Sequence, residues 1–273
     1  MCCNNFCTGM VVGIAAAAVM ALLSGQPVVT AVTDTYMTGA AQFVRDNFLI
    51  FFFSVLFGKV MEETGAAASI AKFLAELLGE KFAILGVIFS GAVLVYGGVT
   101  TLVVVFSLYP IALSLFKKAN LPRYLLPGAI AGGCFTFACA NFPGTPNLVN
   151  VIPTTYLGTN TMAAPLVGVI TGIAVMLMVC VYFLWEASRA RARGDCFVED
   201  EATTQSLVKA ASMVRLPSPI IAILPIVLIL ILLNVFKQHV VVAMLGGILL
   251  CVVLFFRNVH LSLIHISEPT RPL

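Results

Sequence analysis

Tyr96-Gly97-Gly98-Val99-Thr100-Thr101 interrupts a long apolar run, and Phe142-Pro143-Gly144-Thr145-Pro146-Asn147 interrupts the next, with Asn150 and Pro153-Thr154-Thr155 following. Backbone that leaves the helix at membrane depth persists only where protein or a watery cavity satisfies its N–H and C=O groups, so paired breaks of this kind mark a site. Gly and Pro that merely kink packed helices are the competing reading. The second break argues against it, because prolines, hydroxyls and amides crowd together there. A transporter is the expected function.

Composition sets the class. Of 273 residues 60% are hydrophobic and 10% charged, with a mean hydropathy of +1.06, whereas a soluble domain carries about 25% charge. The fold class expected is an all-α polytopic membrane protein. A β-barrel would show short alternating segments rather than long continuous apolar runs. The formal net charge of +3 gives no footprint for nucleic acid. Cys134, Cys139, Cys180 and Cys251 lie in apolar runs, where a thiol packs as a small hydrophobe. Cys2, Cys3 and Cys7 have no histidine or carboxylate beside them, so no metal site is expected.

Taken in order, 11–23 is a first apolar span, 24–47 a moderately polar connection, and 48–61 a second span, beginning near Gly39 if tilted and closed by Lys59 and Glu62-Glu63. In 64–81, Ile70, Phe73, Leu74, Leu77 and Leu78 recur at helical spacing while Lys72, Glu76 and Glu80 face away, which reads as a helix lying in the interface. Residues 82–116 are barely long enough for two crossings. The uncharged Gly97–Thr101 turn favours a re-entrant hairpin over two full crossings. A discontinuous span follows at 123–159, then a crossing at 161–185 anchored by Trp185. The hydrophilic loop 187–218 connects to further spans at 220–236 and 240–256. With the N-terminus inside, of the 15 Lys and Arg Arg271 lies in the tail and Arg45 and Lys237 fall outside, which leaves 12 inside. That is a strong positive-inside bias.

The run Pro127-Gly128-Ala129-Ile130, Phe135-Thr136-Phe137, Pro143 to Asn147 and Asn150-Val151-Ile152-Pro153-Thr154-Thr155-Tyr156-Leu157-Gly158-Thr159 resembles the signature of the gluconate permease family, the gluconate:proton symporters. Gly58-Lys59 and Glu63-Thr64-Gly65-Ala66-Ala67 resemble it more loosely. A Thr-tipped hairpin followed by a helix broken at Gly-Thr-Pro-x-Asn is also similar, more distantly, to the ion-transporter superfamily that includes the sodium/dicarboxylate symporters. The resemblance implies an inverted-repeat transporter fold: residues 1–186 as the first repeat, with hairpin 82–116 and broken helix 123–159; 187–218 as a cytoplasmic connecting loop; and 219–260 as the start of the second repeat. It also implies a bacterial inner-membrane symporter of gluconate-like hydroxy-carboxylates, with citrate or dicarboxylates as the alternative substrates. A homodimer is among the assemblies open to such a chain.

The residues expected to bind substrate or cation are Gly97, Gly98, Thr100, Thr101, Gly144, Thr145, Asn147, Asn150, Thr154 and Thr155. A half-helix N-terminus offers partial positive charge and free N–H groups to a carboxylate, while hydroxyls and exposed carbonyls suit a cation or sugar-acid hydroxyls. No cofactor is expected beyond the coupling ion, H+ or Na+. The spans lack Asp, Glu and His apart from the terminal Glu62 and Glu63, so a proton would travel on the substrate carboxylate. An intramembrane enzyme would need a His-Glu-x-x-His or Gly-x-Ser-x-Gly pattern, and neither occurs; no catalytic residue is expected. A structural membrane subunit is the remaining rival, and substrate uptake separates it from a transporter.

Residues 261–273 stand apart. Leu261 to Arg271 resembles, at every position, the translation of a transposase sequencing adapter, so the tail is expected to be read-through and the chain a truncated transporter.

The charge map has a direct check. Single cysteines placed beside Ser24 and Lys237 should react with an impermeant maleimide applied from outside, and those beside Lys118 and Arg191 should stay protected. Outside labelling beside Arg191 would overturn this topology.

Overall fold

A computed structural model describes residues 2–198 and 216–256. The acidic residues 199–201, Lys209, Arg215, Arg257 and the tail 261–273 lie outside the described residues. All secondary structure among those described is helical, and the chain divides into two compact units at Leu49 and Ile50.

The first unit holds α1 (Cys2–Leu23) and the opening turns of α2 (Val28–Glu63). Residues 24–47 were expected to be a connection, yet from Val28 onward they are helical, with a π-helical stretch at Ala31–Tyr36. The reason is local. Pro27 fixes a φ of −59° just ahead of the helix, and the Thr33 hydroxyl donates to Val29 O at 2.8 Å, so the polar side chain satisfies itself on its own backbone. α1 packs back on these turns, where Gly13 leaves room for the Tyr36 hydroxyl.

The second unit is organised around α4 (Ala83–Tyr96), which packs against α3 (Ala66–Leu78), α5 (Thr101–Lys118), α6 (Leu125–Cys134), α7 (Phe137–Ala140) and α9 (Pro165–Arg193). Backbones can meet only where small residues lie between them, and α4 has such points: Gly86 faces the Ala75 backbone, Gly91 faces Cys134 Sγ, and Gly133 of α6 lies against the Ile88 carbonyl, while Ile84, Ile88 and Leu94 fill the rest of its buried surface. Between helices in lipid, close backbone approach of this kind supplies the packing energy that apolar burial supplies in water. The Ser90 hydroxyl donates to Ala71 O at 3.0 Å and Gly86 O at 2.6 Å, joining α3 to α4.

α3 is helical as its spacing predicted, but its packing face is not the one of its large residues. Its buried stripe is Ala66, Ala67, Ile70, Ala71 and Ala75, while Phe73 and Leu77 are exposed. Close approach to α4 selects the alanine face over the leucine face. Likewise the helix expected to close at Trp185 runs on to Arg193, where Arg193 pairs with Glu186 at 2.6 Å and Arg189 stacks over Trp185 at 5.1 Å.

Helix lengths differ widely. α2, α5 and α9 are long and apolar enough to span a bilayer. α4, with 14 residues, is about 21 Å long at ~1.5 Å per residue, short of a hydrocarbon core of about 30 Å. α8 (Leu148–Leu157), with 10 residues, is shorter still. α10 (Pro219–Asn234) and α11 (Val240–Leu254) pack on each other, and α10 also on α3.

Because a Cβ at Gly133 would run into the Ile88 carbonyl, Gly133→Ala should destabilise the chain by about 1–3 kcal/mol in a detergent unfolding titration. Gly39→Ala, with nothing near its Cβ position, is the control expected to keep full stability.

Candidate functional site

Both breaks form for local reasons. α4 ends in a Schellman motif: Gly98 N–H donates to Val95 O at 3.0 Å and Val99 N–H to Leu94 O at 3.1 Å, with Gly98 at φ +90°. Only glycine takes that conformation freely, and a Cβ there would also meet Pro146 Cγ at 2.7 Å. α5 then restarts at Thr101 without a side-chain cap, because Thr100 Oγ1 donates to Ser54 O at 2.9 Å instead.

The expected discontinuous span 123–159 is interrupted twice. The first interruption, at Phe135-Thr136, was not anticipated; Thr136 leaves helical geometry at φ −105°, ψ −114° and turns its hydroxyl back to Gly132 O. The second is the Pro143–Asn147 break. There Gly144 adopts φ +80°, its N–H donates to Thr161 O at 2.8 Å, and its carbonyl accepts from Asn234 Nδ2 at 2.9 Å. Asn147 caps α8, its Oδ1 accepting from Val149 N at 3.2 Å.

The two breaks hold each other. Thr145, fully buried, donates from Oγ1 to Tyr96 O at 3.0 Å and accepts from Asn147 N at 3.3 Å. Tyr96 returns a bond from its hydroxyl to Pro143 O at 3.0 Å and meets Phe142 edge to face at 6.3 Å. Asn150 Nδ2 ties down Thr145 O at 3.0 Å and Thr161 O at 3.2 Å.

This arrangement sorts the expected residues into three groups. Thr145, Asn150 and Thr100 have committed their polar groups to backbone, and Gly97, Gly98 and Gly144 provide room, Gly97 against Ile226. Thr101 and Asn147 line a cavity of about 100 Å³ with Ser54, Gly98, Thr100, Leu102 and Leu148; the Thr101 hydroxyl and the Asn147 Nδ2 have no hydrogen-bond partner among the described residues. Thr154 and Thr155 lie elsewhere, lining a cavity of about 360 Å³, and the Thr154 hydroxyl bonds Val151 O at 2.7 Å.

The N-termini of α5 and α8 both open on the smaller cavity. α5 brings unpaired N–H groups, α8 adds that of Leu148, its Val149 and Asn150 N–H groups being taken by Asn147, and each brings the positive end of a helix dipole, so the cavity favours negative charge. Glu62 and Glu63, at the end of the helix that carries Ser54, pair with Lys59 at 3.2 Å and 2.8 Å.

Sequence reasoning missed Asn234 and Ser54. Asn234 ends an otherwise apolar helix as its one amide, and that solitary polarity was the available signal. Ser54 contributes a backbone carbonyl, which side-chain identity does not encode.

A family model described as GntP family permease matches residues 4–264. The "Uncharacterized transporter YxjC" of Bacillus subtilis (strain 168) is 42% identical over 163 residues, covering 60% of this chain and 34% of the relative, so the chain spans about a third of that relative's length. No solved structure matches.

Thr145→Val keeps the shape of the side chain and removes both of its hydrogen bonds. It should lower stability by about 1–3 kcal/mol in a detergent unfolding titration, whereas Thr145→Ser should stay within about 1 kcal/mol of the parent. Equal stability of the two variants would show that the bond between the breaks contributes nothing.

Proposed function

The chain belongs to the GntP family of permeases, and we propose that it acts as a secondary active transporter, a proton-coupled symporter of gluconate-like hydroxy-carboxylates in the bacterial inner membrane. The observation that supports this best is the pair of helix N-termini opening on one cavity with two free donors, Thr101 Oγ1 and Asn147 Nδ2. Two dipole ends and uncommitted N–H and O–H donors recognise a carboxylate without a formal positive charge, which keeps binding reversible in a low-dielectric site.

Size refines the reading. About 100 Å³ is a few waters' share at roughly 30 Å³ each and well under the ~300 Å³ of a small-molecule pocket. The cavity accepts a carboxylate end, and a whole sugar acid enters only when the breaks part. The contacts that must part are Thr145 to Tyr96 O and Pro146 against Gly98, so these form a gate in the proposed cycle. No Asp, Glu or His lines this cavity. The coupling proton is therefore carried by a group outside this cavity.

Uptake of radiolabelled D-gluconate, citrate and succinate by cells expressing the encoding gene tests the proposal. D-gluconate should accumulate, a protonophore should abolish accumulation, and Thr101→Val or Asn147→Leu should reduce it at least tenfold with membrane expression preserved. Accumulation of citrate or succinate alone would move the substrate to the dicarboxylate class, and a requirement for Na+ would replace the proton. Undiminished uptake by both variants would remove the cavity from the mechanism.

A further inference from the structure

The larger cavity, about 360 Å³, is built between the end of α8 with its following loop and the α10–α11 turn. We propose that it is a second binding site, a surface capture site for the same hydroxy-carboxylate class, with Lys237 as its counter-ion. This rests on the reading that the chain handles hydroxy-carboxylates.

Three observations support the assignment. The first is charge. Lys237 lines the cavity, is exposed, and pairs with no carboxylate among the described residues, and no Asp or Glu is in the lining. An unopposed ammonium beside amides and hydroxyls selects an anion, and it selects against a cation. The second is the donor set. His239 Nδ1 accepts from Val241 N at 3.3 Å, so in that tautomer its proton is on Nε2 and available to donate. Asn160 Oδ1 likewise accepts from Met162 N at 3.0 Å, leaving its Nδ2 free. The Thr155 and Thr159 hydroxyls complete a lining suited to the several hydroxyls of a sugar acid. The third is size, which lies inside the roughly 300–1,000 Å³ range of small-molecule pockets, unlike the cavity at the breaks.

The backbone that presents Lys237 is held in an uncommon conformation. Lys237 has φ +51°, costly for a residue other than Gly, Asn or Asp, and the turn is fixed by Phe236 N–H to Ile231 O at 3.1 Å and Gln238 N–H to Leu232 O at 3.0 Å.

The capture site also touches the breaks. Asn234 lines it, donates to Gly144 O at 2.9 Å, and buries an Oδ1 that has no partner among the described residues. Thr161, on the opposite wall, offers its carbonyl to Gly144 N–H and to Asn150 Nδ2. An anion held by Lys237 is thus one hydrogen bond from the segment that must move for the smaller cavity to open.

Calorimetric titration of D-gluconate into the 273-residue chain in lipid nanodiscs provides the test. The wild-type chain should show two sites. Lys237→Asn, which suits the positive φ, should weaken one of them about tenfold, as loss of a charge-assisted contact does, and Lys237→Arg should restore it. Acylation of Lys237 by an amine-reactive ester, read by mass spectrometry on the unaltered chain, should slow in D-gluconate and not in uncharged D-glucitol. One site unaffected by Lys237→Asn, with no protection from acylation, overturns the capture site and leaves the carboxylate reading standing. Failure of the wild-type chain to bind D-gluconate, citrate and succinate alike overturns that reading, and the capture site with it.

Discussion

The hydrogen bond from Thr145 Oγ1 to Tyr96 O, with the Tyr96 hydroxyl returning to Pro143 O, is the constraint on which the rest of the second unit depends. A helix that stops inside an apolar slab leaves carbonyls and N–H groups with no water to receive them, and each unsatisfied group costs several kcal/mol. Neither break is self-sufficient. Gly98 supplies the Schellman turn and Asn147 the cap, but the remaining groups are matched only when the tip of one break meets the bend of the other. The site is where it is because that is the one place where each interruption completes the other.

Bringing the tips together demands a thin central helix. α4 is lined with Gly86, Ser90, Gly91 and Ala92, and its neighbours answer with Ala71, Ala75 and Gly133. Small residues let backbones close to distances that leucine would forbid, and in lipid that contact is the available driving force. Phe73 and Leu77 of α3 and most of α9 instead face outward. Their exposure suits a hydrocarbon surround, where an apolar surface costs nothing.

The electrostatics are arranged in two grades. Near the breaks the positive potential comes from helix ends and neutral donors, while the formal charge of Lys237 stays at the exposed mouth of the larger cavity. Desolvating an ammonium is expensive, and desolvating oriented amides is already accounted for in the fold. In the proposed cycle an anion would therefore meet full charge where water still screens it and dipoles where it does not.

What the sequence by itself determined was the class, the location of the two breaks and the identity of the glycines that make them. Composition is read directly by the bilayer, and Pro-Gly-Thr-Pro, with two prolines three residues apart around a glycine, strongly opposes a continuous helix; Gly-Gly alone does not, since Gly132-Gly133 and Gly246-Gly247 are helical. Membership of the permease family was likewise legible, in the run from Pro127 to Thr159. The start of α2 was not, since Thr33 and its neighbours look like a connection until the Thr33 hydroxyl is seen to bond back to the helix at Val29 O. Nor was the alanine face of α3, because hydrophobic periodicity ranks leucine above alanine while close packing ranks them the other way. Above all, ten polar and small residues looked equivalent as ligands, and only the tertiary structure separated Thr101 and Asn147, which keep free donors, from Thr145, Asn150 and Thr100, which have spent theirs. A hydroxyl's availability depends on which carbonyl lies within 3 Å of it, and that carbonyl belongs to a residue far away in the chain: Tyr96 for Thr145, Ser54 for Thr100.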